Sequence, residues 1–238
     1  MLYKIADLIV EIPAEGGVAA LCRNYELNEE VEADIVINPE EYDYERYPIK
    51  MREESLCYME SGRQMYNKIL NFNGFYLHSS AVELDGKAYL FSGPSGMGKS
   101  THTRLWQSVF GEAAQVFNDD KPALRRIDGK WFAYGTPWCG KDRINQNKKV
   151  PLAGICFLKR GEENKIRRLE PKEAFPLLMS QTIRKFRKSE SLDLLLENLN
   201  LLLKEIPIFE LENKPVAEAA ILSHKTMLEA SKEVFHEN

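Results

Sequence analysis

The chain has 238 residues, 44% hydrophobic and 29% charged, enough apolar material for a packed core. Its formal net charge of −4 is not the basic surplus of a general nucleic-acid or anionic-membrane binder, so neither partner is expected. Cys22, Cys57, Cys139 and Cys156 lie far apart with no Cys-x-x-Cys pair, which is neither a disulfide framework nor a zinc pattern.

Residues 2–12, rich in Leu, Ile and Val, read as a strand stopped by Glu11 and Pro13. That run is too short for a signal h-region and no stretch approaches a membrane span, so the expected compartment is the cytoplasm. Residues 18–23 and 34–38 are weaker strand candidates. Residues 38–54 are acidic and contain Tyr and Pro with little periodicity, and read as loop. A helix is expected over 62–70, with Met65, Ile69 and Leu70 on one face.

From Phe75 onward the pattern sharpens. Residues 75–84 and 87–92 flank Asp85-Gly86, a hairpin turn pair. Residues 100–110 are helix-compatible, with Leu105 and Val109 four apart and Gly111 in the stop position. Strands are expected at 114–118, 122–127, 131–134 and 152–159. The C-terminal third reads as helical. One apolar stripe comprises Leu192, Leu195, Leu196, Leu199 and Leu203. A second comprises Ala217, Ala220, Ile221, His224 and Leu228, with His224 as a core-edge residue. The basic run Arg184-Lys185-Phe186-Arg187-Lys188 reads as a solvated face, or else as a guide for an acidic peptide.

The second strand of the hairpin runs into Gly93-Pro94-Ser95-Gly96-Met97-Gly98-Lys99-Ser100, the pattern G-x-x-x-x-G-K-[ST] of a Walker A phosphate loop. Glycines let the backbone curl so that successive N–H groups point at phosphate oxygens. The helix opened by Ser100 and Thr101 adds its positive end. In such a loop Lys99 neutralises β- and γ-phosphate charge, and the Ser100 hydroxyl ligates Mg²⁺. A phosphate loop needs acidic groups for its metal, and Asp119-Asp120 closes the strand twenty residues after Lys99. Adjacent strand residues point to opposite sides, so one carboxylate can serve the metal and the other the acceptor hydroxyl. His78, taken alone, is more often a packing residue than a catalyst.

Taken in order, Leu77-His78-Ser79-Ser80-Ala81, the loop at 93–100, Asp119-Asp120 and Gly135-Thr136-Pro137-Trp138-Cys139-Gly140-Lys141 resemble the HPr kinase/phosphorylase and ATP-dependent phosphoenolpyruvate carboxykinase superfamily. The likeness spans about residues 75–160. It is closer still to small HPr-kinase-like bacterial proteins. It implies an α/β (α+β-like) fold, a mixed, bent sheet carrying the phosphate loop, with C-terminal helices. Residues 1–70 would then be a small β-rich region and 71–238 the kinase-like domain.

The resemblance also implies phosphoryl transfer from ATP with Mg²⁺. It places Lys99 as phosphate clamp, Ser100 with Asp119 or Asp120 at the metal, and His78 with one of the two aspartates at the acceptor. Lys141 or Arg143 would hold the transferred group or an anionic substrate. The acceptor would be a hydroxyl, on a serine of a protein or peptide or on a small metabolite. The carboxykinase's substrate apparatus and the HPr kinase's C-terminal docking helix have no recognisable counterpart, so decarboxylation is not expected. The donor (ATP, another nucleotide or pyrophosphate) stays open, as do the choice of base within the aspartate pair and homo-oligomerisation. The competing reading is a nucleotide-binding sensor without turnover, for which the loop alone would suffice.

Overall fold

The structure is a computed structural model that describes residues 1–13, 16–183 and 189–236; the basic run 184–188 lies outside them. The strand expected over 2–12 is a hairpin, β1 (Leu2–Ile5) and β2 (Leu8–Glu11). Its turn residues, Ala6 and Asp7, both take φ above +50°, as a two-residue mirror-image turn requires. β3 (Ile35–Val36) joins β2 in parallel to complete a three-stranded sheet.

Two expectations fail in this region. Residues 18–23 lie largely in helix α1 (Gly16–Cys22), and the loop expected through residue 54 is helical from Ile49 onward, as α2 (Ile49–Lys68). The reason is visible in α2's buried face, which includes Glu60, Ser61 and Gln64. Tyr47 donates to Glu60 Oε1 at 2.7 Å, and Arg63 Nε to Oε2 at 2.7 Å. Gln64 bonds the backbone of Asn38 in both directions. Where a helix buries satisfied polar groups the apolar period is lost, and only its end, within the helix expected over 62–70, was readable.

The remaining strands are β4 (Gly74–Leu77), β5 (Ser79–Leu84), β6 (Lys87–Ser92), β7 (Gln115–Asp120), β8 (Ala123–Ile127), β9 (Lys130–Tyr134), β10 (Lys149–Arg160), β11 (Lys165–Arg168), β12 (Thr182–Ile183) and β13 (Ile208–Asn213). They form one ten-stranded mixed sheet, ordered β12-β4-β8-β9-β10-β6-β5-β7, with β13 also on β10 and β11 on β13. Strand β10 joins its two halves. Lys149–Pro151 pair antiparallel with β9, and the rest pairs in parallel with β6 and β13.

Helices α3 (Lys99–Phe110), α4 (Pro171–Gln181), α5 (Ser189–Glu205) and α6 (Ala217–His236) complete the fold. α5 buries Leu195, Leu199 and Leu202 and leaves Leu192 exposed. In α6 Ile221 is exposed, while Ala220, Ser223 and Met227 are buried. His224 is half-buried against Tyr89, Trp106 and Phe110, as a core-edge residue. Among the described residues no helix is long and apolar enough to cross a membrane.

The expected first strand of the 75–92 hairpin is interrupted at His78. β4 belongs to one half-sheet, pairing with β8 and β12, and β5 to the other, pairing with β6 and β7. The link from β7 to β8 crosses between the same halves beside it, with Leu77 N donating to Pro122 O at 3.3 Å. The two crossings bring His78 next to Asp120 and Lys121.

Candidate functional site

The glycine-rich segment leaves β6 at Ser92 and enters α3 at Lys99. Gly93, Gly96 and Gly98 all have positive φ (145°, 77° and 98°), so the reversal into the helix uses conformations that side chains rarely adopt. Lys99 is buried, its Nζ donating to Gly93 O at 3.0 Å and Pro94 O at 3.4 Å. Burial lowers its pKa, and Asp120 and Asp119 partly offset that. On the next residue, the Ser100 hydroxyl donates to the Asp119 carboxylate, 2.9 Å from Oδ2 and 3.1 Å from Oδ1.

Asp119 is delivered by the β5–β7 ladder, where it stands opposite Ser80, with Asp120 opposite Ser79. The two carboxylates serve different neighbours. Asp120 Oδ1 lies 3.1 Å from His78 Nε2, and Lys121 Nζ contacts Oδ2. Asp120 itself takes φ 97°, so its direction comes from a strained backbone rather than from strand alternation alone. Burial pushes the Asp120 carboxyl up, but the His78 hydrogen bond and Lys121 outweigh it and hold it well below the usual carboxylate range. Lys121 loses by burial and regains more from Tyr58 and Asp120, so its pKa is raised.

The segment after β9 lies along β7. Gly140 N donates to Asp119 O at 2.6 Å, Asp119 N to Ile144 O at 3.3 Å, and Gln146 N to Phe117 O at 2.8 Å. This approach dictates Gly135, where an added Cβ would stand 1.9 Å from Gln146 O. Lys141 and Arg143 are exposed on this segment and make no ion pair among the described residues. Cys139 is buried here, its carbonyl accepting from Tyr58 OH at 2.9 Å, and burial pushes its thiol pKa up.

Next to the loop opens a cleft of about 840 Å³. Met97, Thr101 and Leu105 form one wall, with Arg160 and Glu162 at the end of β10 and Lys214 after β13 on the other. Arg160 Nη2 donates to Gly96 O at 2.9 Å, tying β10 to the loop.

Among the residues named from sequence, Lys99, Ser100 and Asp119 stand together, and His78 and Asp120 stand together; the Lys141 and Arg143 side chains make no hydrogen bond or ion pair with either set. Lys121, Tyr58, Gln181 and Arg160 escaped the sequence reading. Lys121 directly follows the aspartate pair and was there to be noticed. The other three reach the region only through tertiary packing.

A family model described as "SynChlorMet cassette protein ScmC" matches residues 48–215, more than half of the chain. The chain belongs to the ScmC family. The span matched by the ScmC model runs from α2 through β13, so it includes both aspartates, His78, the glycine-rich loop and Gln181. No curated protein matches the chain. Among solved structures it is similar to the HPr(Ser) kinase/phosphatase from Coxiella burnetii, at 11% identity and a TM-score of 0.37, over 68% of this chain and 98% of that one. At that TM-score the likeness says nothing of residue roles.

Proposed function

We propose that this chain is a phosphotransferase that moves the γ-phosphoryl group of a nucleoside triphosphate to a hydroxyl acceptor. The observation that carries this reading is the Ser100 hydroxyl against the Asp119 carboxylate, at the junction of the glycine-rich loop and α3. In this reading the loop's N–H groups and the helix end receive the phosphates. Lys99 would exchange its bonds to the loop carbonyls for phosphate oxygens.

The Ser100–Asp119 pair also fits Mg²⁺. Both are hard oxygen donors, and Mg²⁺ is ordinarily held by one or two carboxylates together with substrate phosphates. Bound there, it would neutralise charge on the β- and γ-oxygens. Asp120, engaged by His78 and Lys121, is the carboxylate on the acceptor side. Kept ionised, it is a weak proton acceptor, so its work is to orient the acceptor hydroxyl. Phosphoryl transfer through a loose transition state asks for positioning more than for a strong base. In this reading His78 Nε2–H, which meets Asp120 Oδ1, would also favour the charge on the transferred group. Exposed Lys141 and Arg143, on the segment that begins at Asp119's backbone partner Gly140, would meet an anionic acceptor.

The cleft beside the loop favours a nucleotide over pyrophosphate as the donor in this reading. Pyrophosphate would fill only the loop, whereas a nucleoside needs an adjoining recess of a few hundred cubic ångströms. The recess between Met97, Leu105 and Arg160 supplies it.

The test is transfer from γ-labelled ATP by purified protein with Mg²⁺, offered serine-containing peptides and small alcohols, with phosphate release followed in parallel. Transfer or release that depends on Lys99 and Mg²⁺ supports the assignment. Tight ATP binding with no turnover under any acceptor would replace it with the sensor reading.

A further inference from the structure

His78 is held at both ring nitrogens. Nε2 lies 3.1 Å from Asp120 Oδ1, and Nδ1 lies 3.0 Å from Gln181 Oε1. The orientation of the Gln181 amide follows from its own partner. Its Nε2 donates to Ser180 Oγ at 3.2 Å, while the Ser180 hydroxyl gives its proton to Leu177 O at 2.8 Å. A serine hydroxyl has one proton to give, so toward Gln181 the Ser180 oxygen only accepts. The amide nitrogen must therefore face Ser180, and the amide oxygen is left for the ring. His78 Nδ1–H is the donor of that bond, and Nε2–H is the donor to the Asp120 carboxylate, so the ring gives a proton to an acceptor on each side.

The backbone makes the same link a second time. His78 N donates to Gln181 O at 2.8 Å, and Thr182 and Ile183 pair with Leu77 and Tyr76. Thr182 Oγ1 donates to Leu178 O at 2.8 Å, which closes the last turn of α4. Gln181 thus reaches the ring from an element fixed on both sides, 103 residues away in sequence.

We propose that Gln181 is a positioning residue for His78. It fixes the plane of the imidazole by accepting from Nδ1 and so aims Nε2 at Asp120 and the acceptor side of the site. This rests on the phosphotransfer reading for its consequence in turnover, but not for the hydrogen bond itself. An imidazole with one nitrogen unanchored turns about its ring axis and spends less time in the productive orientation. Outer partners that orient a site histidine in this way typically cost about ten- to a hundredfold in activity when removed.

The experiment compares Gln181→Met, of similar size without the acceptor, with Gln181→Glu, which restores an oxygen at the same place. Gln181→Met is expected to lower kcat about ten- to a hundredfold, with the ATP KM changed less than about twofold and the thermal midpoint unmoved. Gln181→Glu is expected to recover most of kcat. Long-range ¹H–¹⁵N spectra, with His78 assigned through His78→Ala, should show its Nδ1 resonance displaced in Gln181→Met and returned in Gln181→Glu. This second readout needs no turnover, so an inactive wild-type protein would remove the phosphotransfer reading and still leave the positioning claim decided by the spectra. An Nδ1 resonance unmoved by Gln181→Met overturns the inference, as does an unchanged kcat in that variant when the wild type transfers phosphate.

Discussion

Ser79 and Asp120 stand opposite each other in the β5–β7 ladder, and that register brings Asp120 to the residue before Ser79, His78. One position earlier in β7, Asp119 pairs with Ser80 and meets Ser100 instead. A slip of one residue in this ladder would carry one carboxylate into the other's place and the second out of it.

Lys99→Ala removes a buried ammonium whose present partners are loop carbonyls, so the fold should survive it. A hydrogen bond to a charged group contributes about 1.5–3 kcal/mol, and ATP should bind roughly ten- to a hundredfold more weakly. Calorimetry gives the affinity and circular dichroism the fold. Unchanged ATP binding would contradict the assignment of the loop.

Ser100→Ala and Asp119→Asn each remove one oxygen donor from the same pair. The Mg²⁺ concentration for half-maximal activity should rise about tenfold or more in each variant. Turnover that persists in excess chelator would show that the pair holds no metal.

Arg160→Leu cuts the tie from β10 to Gly96 O and changes one wall of the cleft. Losing that contact, at about 1 kcal/mol, should raise the ATP KM several-fold with kcat at saturation little changed. An equal fall in kcat with no change in KM would place Arg160 on the chemistry instead of the donor.

Asp7 gives a pH prediction away from the site. Its carboxylate accepts from Tyr134 OH at 2.9 Å and lies 2.7 Å from Lys149 Nζ, joining the N-terminal hairpin to the large sheet. Burial pushes the Asp7 pKa up, but Lys149 and Tyr134 outweigh it, and the net shift is downward. A folded-state pKa below the unfolded value adds stability above about pH 4, which is lost as pH falls further. Asp7→Asn, which tolerates the same left-handed turn conformation, should lower the thermal midpoint at pH 7 by roughly 1–4 °C, as for a half-exposed ion pair. The two midpoints should converge near pH 3. A difference independent of pH would mean that packing, not charge, holds the turn.

The strand–loop–helix passage around Lys99 was legible because three local rules agree there: a strand ending in glycines, positive-φ positions filled by glycine, and a helix beginning at Lys-Ser. β7 was legible, expected over 114–118 and found over Gln115–Asp120, from its short Val-Phe run. Of α2 only the end, within the helix expected over 62–70, was legible; the part before it buries Glu60 and Ser61 against partners that a periodicity count cannot see. The C-terminal third was read as helical, which fits α4 but not β11, β12 and β13, and with β12 the reading missed Gln181, whose part depends on a register with β4 that no local pattern records. The break at His78 was hidden because no turn residue marks it: Phe75–Leu77, His78-Ser79-Ser80 and Ala81–Leu84 follow one another without Gly, Pro, Asn or Asp.

The sharing of β10 between the two half-sheets restricts how the molecule can admit a ligand. Its residues from Ile155 to Phe157 are paired on both sides, to β6 and to β13, while Lys149–Pro151 of the same strand hold β9. Opening one half against the other would bend a backbone fixed at both ends, so the halves cannot swing apart as separate jaws. Entry to the region around Ser100 and Asp119 therefore falls to the glycine-rich turn and to the exposed stretch at 141–143. Amides of β10 at 155–157 should then exchange with solvent only when the whole molecule unfolds.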